Sequence, residues 1–306
     1  MRQLNCENLF QIYLGLRADI AKRTERPELP FGLTELDSRT HGLRRGRVHV
    51  IAARPSEGKT SLGLQIAWNL ACSESKTVAY VSLEDDRKQL LERILCNAQR
   101  IENTQLVRGI WTDETDAKAK AMESVFKKIK FLLLDSFGFN WREFQVVIEK
   151  TQPKPDVIFL DYINMLELER GMNKRDVIGE FVRASKTWAI KENIAIVILA
   201  QINRAGAEDK RPRLHHLKDC GTLEEVADLV LVNYYPIRYG DKGIYSGPEQ
   251  IAPKEYLEIE IAKCKNYGQP GIVQVRFEGK FYRFEDWIEP EFRQSGKEAY
   301  HERAYR

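Results

Sequence analysis

Along this chain, short runs of nearly unbroken apolar residues alternate with longer segments whose apolar positions recur every three to four residues. The runs RVHVIAAR (47–54), TVAYVSL (77–83), KFLLLD (130–135), DVIFLDYI (156–163) and IAIVILAQ (194–201) read as strands buried on both faces. The segments KTSLGLQIAWNLA (59–71), RKQLLERILCNAQ (87–99), about 115–128 and about 175–192 read as helices. Strands separated by helices predict a parallel sheet covered on both sides, an α/β fold. The pattern then changes. ADLVLVNYY, YLEIEIAKCK, GIVQVRFEG and KFYRFED follow one another without helical segments, which predicts an antiparallel C-terminal edge. At the start, residues 4–23 place Leu9, Tyr13, Leu16 and Ile20 on one helical face before Pro27 and Pro30 break the pattern. A single helix cannot bury such a stripe alone, so its own domain or a neighbouring subunit must cover it.

Composition narrows the class without deciding the function. The 306 residues are 43% apolar and 30% charged, with a net charge of +3, as expected of a soluble globular protein with ample core. A balance this mild leaves nucleic-acid binding to be judged from the distribution of charge. No apolar run approaches the ~18 residues of a membrane span, and MRQLNCENLF lacks the layout of a secretory signal. Five cysteines, odd in number and widely spaced, fit neither a disulfide framework nor a zinc site. A reducing cytoplasm is expected. The tail from 288 to 306 is polar and basic.

The chemistry starts at ARPSEGKTS, Ala53 to Ser61. It follows the phosphate-loop pattern G-x-x-x-x-G-K-[ST] except that Ala53 stands at the first glycine. A strand runs in and a helix runs out, so loop N–H groups and the helix N-terminus face the phosphates of a nucleotide. Arg54, Pro55, Ser56, Glu57 and Gly58 form the cradle, and Ser61 follows it. Lys59 supplies charge to the β- and γ-phosphates, and Thr60 a hydroxyl for Mg2+. Alanine can open the turn if its φ stays negative. Asp161 ends a buried strand and would point into the ligand crevice as the second magnesium group. Glu84 ends another strand in SLEDD, where a carboxylate can activate the attacking water or simply favour the next helix start. Gln201 ends IAIVILAQ, where an amide can sense the γ-phosphate. The following stretch, INRAGAEDKRPRLHHLKDCGTLEE (202–225), gathers Arg204, Lys210, Arg211, Arg213, Lys218 and Gly221, a composition suited to phosphodiester oxygens. The adjacent His215 and His216 are poorly spaced for one metal and read as solvated.

Together these pieces resemble the C-terminal, RecA-like motor domain of the DnaB-type replicative DNA helicases. The matching stretches are LPFGLTELDSRTHGLRRGRVHVIAARPSEGKTS, YVSLEDDRKQLLERIL, DVIFLDYINML, IVILAQINR, KRPRLHHLKDCGTLEEVADLVLV and EIEIAKCKNYGQPGIVQVRFEGKFYRF, in the family's order from about 29 to 285. The resemblance implies a P-loop ATPase with ATP and Mg2+ at Lys59, Thr60 and Asp161, water activation by Glu84, and support from Arg93. It implies coupling through Gln201 and a DNA-backbone segment at Lys218, Asp219 and Gly221. It further implies that Lys263 and Lys265 reach a neighbouring subunit's γ-phosphate in a homo-oligomeric ring, a hexamer in the family's manner, moving 5′ to 3′ on single-stranded DNA. Loader, primase or polymerase would be partners in a bacterial, phage or plasmid replication context.

The chain departs from the family in three places. Lys265 stands where arginine is expected and lacks its two-pronged donor set. Lys218 and Asp219 are the less forked or shorter alternatives in the DNA segment. Fewer than 30 residues precede the motor, so 1–28 matches a linker helix and connector, 29–287 the motor, and the collar domain is missing. The chain then reads as a naturally minimal helicase or a piece of a longer one. Other readings are a RecA-like oligomeric ATPase without unwinding activity, serving recombination or signalling, which would keep Lys59, Thr60 and Asp161, and an inactive nucleotide-binding adaptor, motivated by Lys265.

Overall fold

The computed structural model describes residues 8–21, 27–135, 140–168, 171–202, 211–217, 221–246, 252–265 and 268–288. Nine strands form one sheet among these residues: β1 (Arg47–Ala53), β2 (Val78–Ser82), β3 (Phe131–Asp135), β4 (Val157–Asp161), β5 (Ala195–Gln201), β6 (Leu229–Tyr234), β7 (Tyr256–Cys264), β8 (Gly271–Glu278) and β9 (Arg283–Asp286). Their order across the sheet is β3-β2-β4-β5-β1-β6-β7-β8-β9. The first six in that order run parallel, and β7, β8 and β9 add antiparallel pairs. The helices are α1 (Leu9–Ala21), α2 (Thr34–Thr40), α3 (Lys59–Cys72), α4 (Arg87–Gln99), α5 (Asn103–Val107), α6 (Asp113–Phe126), α7 (Trp141–Lys150), α8 (Lys174–Glu192) and α9 (Gly221–Val226).

Period-two alternation explains the two-layered core. In β5, Ala195, Val197 and Leu199 face one apolar cluster, while Ile196, Ile198 and Ala200 face the other. The first cluster is covered by α3 and α4 through Leu62, Leu64, Ile66, Leu70, Leu90 and Ile94. The second is covered by α8 through Val177, Ile178, Phe181, Val182 and Trp188. Each such side chain contributes about 1.5–3 kcal/mol on burial, so strands with two apolar faces need a helix on each.

Several boundaries differ from the sequence reading, each for a local reason. The run 227–235 reads as part of the antiparallel edge, but β6 lies parallel beside β1, with His49 level with Leu229. After α9 the chain lies at the N-terminal end of β1, where the Asp228 N–H donates to the Val48 carbonyl at 2.8 Å. The stretch WREFQVVIEK, unassigned from its pattern, forms α7. Asn140 Oδ1 accepts from Arg142 N–H at 2.9 Å at its start, and Phe144 packs edge-on against Phe181 at 5.2 Å. The run 156–163 ends as a strand at Asp161, giving way to a 3-10 turn at Ile163–Met165. In KFYRFED only the last four residues are strand; Gly279–Phe281 is a 3-10 turn.

Two side chains fasten the far edge. The Gln65 amide on α3 donates to the Phe284 carbonyl at 2.8 Å and accepts from the Phe284 N–H at 2.7 Å. Asn97 on α4 donates to Gln65 Oε1 and to the Tyr282 carbonyl, both at 2.9 Å. The first helix stands apart from this packing. All its described side chains are exposed, with Leu9 82%, Phe10 66% and Tyr13 52% accessible.

His49 sits fully inside β1, where burial depresses its imidazole to about 4. A folded value below the ordinary 6.5 makes its contribution complete above pH 6.5 and lost as pH falls toward 4. Asp37, pushed up to about 6 mainly by burial, titrates in the same window with the opposite sign, so only a variant isolates His49. We predict that the unfolding free energy of the protein relative to His49→Gln drops by about 2 kcal/mol between pH 7.5 and pH 5. Denaturant melts of both proteins across that range would show it; a pH-independent difference would contradict it.

Candidate functional site

The parallel strands deliver their carboxyl ends to one edge. Ala53 is level with Gln201, and Ser82 with Asp161. That edge is where an α/β sheet holds its ligands. Ala53 ends β1 in ordinary extended backbone, so alanine meets the condition set for it. The positive φ values fall instead on Ser56 (62°) and Gly58 (78°). A Cβ on Gly58 would meet the Phe284 ring at 2.8 Å, which leaves glycine as the residue that fits. The loop ends on α3, whose first residue is Lys59.

Lys59 is buried, and its ammonium gathers the other predicted groups. Nζ lies 3.1 Å from Asp161 Oδ1 and 3.5 Å from Glu84 Oε2, and 3.6 Å from the centre of the Tyr162 ring. Two strands separate β2 from β1; the reach of the lysine brings Glu84 to the loop. Asp161 is 1% exposed, and Tyr80 donates its hydroxyl to Asp161 Oδ2 at 2.8 Å. Burial, then the Asp161 charge, hold that phenol well above its ordinary range. Asp161 Oδ1 accepts no hydrogen bond. A buried carboxylate oxygen beside a phosphate loop, with the Thr60 hydroxyl on the first turn of α3, suits a hard cation such as Mg2+. Among the described residues no three His, Cys, Asp or Glu side chains form a metal cluster by themselves.

The acidic stretch after β2 divides its work. Glu84 is 45% exposed on the side chain and faces the loop. Asp85 pairs with Arg93 at 2.9 Å, whose guanidinium also lies 5.0 Å from the Tyr282 ring. Asp86 caps α4, accepting from the N–H groups of Lys88 (2.8 Å) and Gln89 (2.9 Å). Arg93 and Ser61 line a small cleft between α3 and α4 with Tyr282 and Trp68. The Gln201 N–H donates to Asn164 Oδ1 at 3.3 Å, and its neighbour Ile202 donates to the Ala53 carbonyl at 2.9 Å. The strand tip thus touches both the loop strand and the turn after Asp161.

Other predicted residues lie elsewhere. Arg204, Lys210, Lys218 and Asp219 fall outside the described residues. Gly221 is exposed at the start of α9. Arg211 turns its guanidinium inward, ion-paired with the fully buried Glu258 and 4.5 Å from the Tyr234 ring. The pair ties the end of the basic stretch to β7. Lys263 and Lys265 do not join the Lys59 cluster. Both hydrogen-bond carbonyls in the last turn of α9: Lys263 to Glu224 and, at 3.2 Å, Glu225; Lys265 to Glu225 at 2.9 Å. Cations at a helix C-terminus suit its exposed carbonyls. Burial, then the neighbouring Lys265 charge, lower the Lys263 ammonium below its ordinary range.

The DnaB-like helicase C terminal domain family model matches residues 28–286. A probable plasmid replicative DNA helicase of Chlamydia psittaci is 31% identical over 261 residues, covering 83% of this chain and 55% of that protein. The replicative DNA helicase DnaC of Bacillus subtilis is 29% identical over 282 residues, covering 90% of this chain and 60% of that protein. The chain thus spans little more than half the length of these curated relatives. In fold it is similar to a solved ATPase domain (TM-score 0.80, 24% identity, 93% of this chain and 100% of that one). It is also similar to a DnaB-like replicative helicase solved for its interactions with primase (TM-score 0.78, 25% identity, 92% and 69%).

The Tyr80 hydroxyl gives a direct test of the cluster. Tyr80→Phe leaves Asp161 Oδ2 buried without its donor, and we predict a loss of about 1–3 kcal/mol in stability, read by denaturant melts. A loss below a few tenths would show that the contact carries no weight.

Proposed function

This chain belongs to the DnaB-like helicase C-terminal domain family, and from that premise we propose that it is an ATP-driven motor that unwinds DNA during replication. The observation that carries the reading is the Lys59 ammonium held between Asp161 and Glu84 at the mouth of a phosphate loop. Loop N–H groups from Ser56 to Thr60 take the phosphate oxygens, and Lys59 exchanges its carboxylates for phosphate charge. The Thr60 hydroxyl and the Asp161 carboxylate hold Mg2+. That ion, when bound, neutralises charge on the transferring phosphoryl group. The Glu84 carboxylate orients the attacking water and accepts its proton. Arg93, fixed by Asp85, supports the nucleotide from α4.

The rest of the motor needs more than one copy. Lys263 and Lys265 hold α9 in their own chain, away from the Lys59 cluster, which fits a role toward a neighbour's γ-phosphate. A head-to-tail contact of this kind closes into a ring, and a hexamer is the expected size. The exposed apolar residues of α1 fit a docking element for the adjacent subunit. Single-stranded DNA runs through the centre, held at its phosphates by the stretch around 203–221 and passed 5′ to 3′. Such contact is salt-dependent and largely indifferent to sequence. The setting is the cytoplasm of a cell in which a chromosome, phage or plasmid replicates.

Each of these roles has its own assay. Lys59→Ala and Glu84→Gln each lower DNA-stimulated ATP turnover at least about a hundredfold; an unchanged rate in either would overturn the assignment. Strand displacement on a forked duplex separates the helicase from an ATPase that does not unwind, since turnover without displacement favours the latter. In the assembly, Tyr13→Asp combined with Leu16→Asp shifts the mass seen by light scattering from ring to monomer. An unchanged mass would remove α1 from the subunit contact.

A further inference from the structure

The phosphate loop contains a buried acid that nucleotide chemistry does not call for. Glu57 has no exposed surface, although Pro55 and Ser56 beside it are exposed. Its carboxyl is pushed above the usual range, chiefly by that burial. Oε1 accepts the hydroxyl of Tyr239, and Oε2 has no partner. Tyr239 lies in the 3-10 turn Pro236–Tyr239 that follows β6. The same region reaches the loop twice more. Asn233 donates to the Glu57 carbonyl at 3.0 Å, and Arg238 to the Pro55 carbonyl at 3.4 Å. Tyr239 is itself fixed by stacking on Tyr234 at 5.6 Å, and the Arg54 guanidinium lies 5.0 Å from its ring.

The loop needs outside support. Ser56 holds φ at 62°, a left-handed conformation costing a residue with a Cβ about 1–2 kcal/mol. The loop's own turn bond, Glu57 N–H to the Arg54 carbonyl, is long at 3.2 Å. We propose that Tyr239, acting through the Glu57 carboxyl, is a positioning residue that keeps the empty loop in its nucleotide-accepting shape. The proposal rests on the reading of 53–61 as a phosphate loop. Without the Tyr239 hydroxyl, the Glu57 carboxylate would be a buried charge with no hydrogen-bond donor on either oxygen, and the side chain would leave for water, taking the loop with it. Nucleotide would then bind only the fraction of molecules whose loop has returned, so apparent affinity falls by that fraction. Once bound, the loop is in its working shape and turnover is unchanged. The signature is a raised KM with kcat preserved.

The experiment measures the Kd of MgADP by calorimetry, with KM and kcat for ATP, in four proteins besides the wild type. Tyr239→Phe weakens MgADP about tenfold and leaves kcat within about twofold. Glu57→Gln is measured as the reference for the double variant, since its amide oxygen still accepts from Tyr239 and no charge is stranded. In the Glu57→Gln background, adding Tyr239→Phe changes Kd less than about threefold, which rescues the single variant. Lys59→Ala binds no MgADP. A Tyr239→Phe protein that binds like wild type, while Lys59→Ala does not bind, overturns the positioning role alone. A tenfold loss that persists in the Glu57→Gln background overturns the route through Glu57. Wild-type binding by Lys59→Ala overturns the phosphate-loop reading and the proposal with it. If Tyr239→Phe does not fold, the two proteins that carry Glu57→Gln still decide the matter, since a tenfold difference between them contradicts the proposal.

Discussion

One cation organises this molecule. The Lys59 ammonium sits where three separate strand ends converge, with Asp161 at 3.1 Å and Glu84 at 3.5 Å. A buried carboxylate is tolerable only with a partner of opposite charge or good donors. Asp161 has both, the lysine on one oxygen and the Tyr80 phenol on the other. The same arrangement keeps the lysine in place without nucleotide. On the function proposed above, a ligand rich in negative charge would displace the carboxylates from a cation already aimed at it. Everything else in the sheet, from the parallel order of β2, β4, β5 and β1 to the helices sealing its faces, serves to bring those ends to one edge.

That edge was legible because its residues sit at points where periodicity breaks. A strand pattern ending in Asp161, another in Glu84 and a third in Gln201 mark strand tips, and a glycine-lysine-threonine between strand and helix marks the loop. Tyr80 and Tyr162 carried no such mark. Tyr80 looks like one more apolar member of a buried strand, and Tyr162 like its extension, until the phenol is seen on Asp161 and the ring under Lys59. The ion pair of Arg211 carried no mark either, because a cation in a basic stretch gives no hint of a partner. Its partner, Glu258, lies 47 residues away in β7, joined only by folding. The placement of β6 escaped for a related reason. Helix α9 has six residues, too few to register as a period, so the connection that leaves β6 parallel to β1 carried no helical mark in the pattern.

The two ends of the sheet carry different kinds of constraint. At the carboxyl ends, charge is concentrated and compensated within one chain. Toward the opposite ends, level with the first half of β6, Lys263 pairs with Val230 in register and reaches the carbonyls of α9. Lys265 ties the same spot to Asp228 through its own N–H at 2.7 Å. Both lysines are therefore braced against the helix that follows the basic stretch. Any excursion of these side chains toward another molecule leaves helix carbonyls to be satisfied by water. The apolar residues of α1 stand in contrast, with nothing among the described residues to cover them.

The amide of Gln65 has a wider effect than its two short bonds. A final strand normally presents a ladder of open donors and acceptors on which a foreign strand can grow. Here the outward backbone pair at Phe284 is saturated by a side chain that imitates a neighbouring strand. Copies meeting at this flank find that rung already taken, so crowding them together favours contact through shaped side-chain surfaces over fibrous stacking.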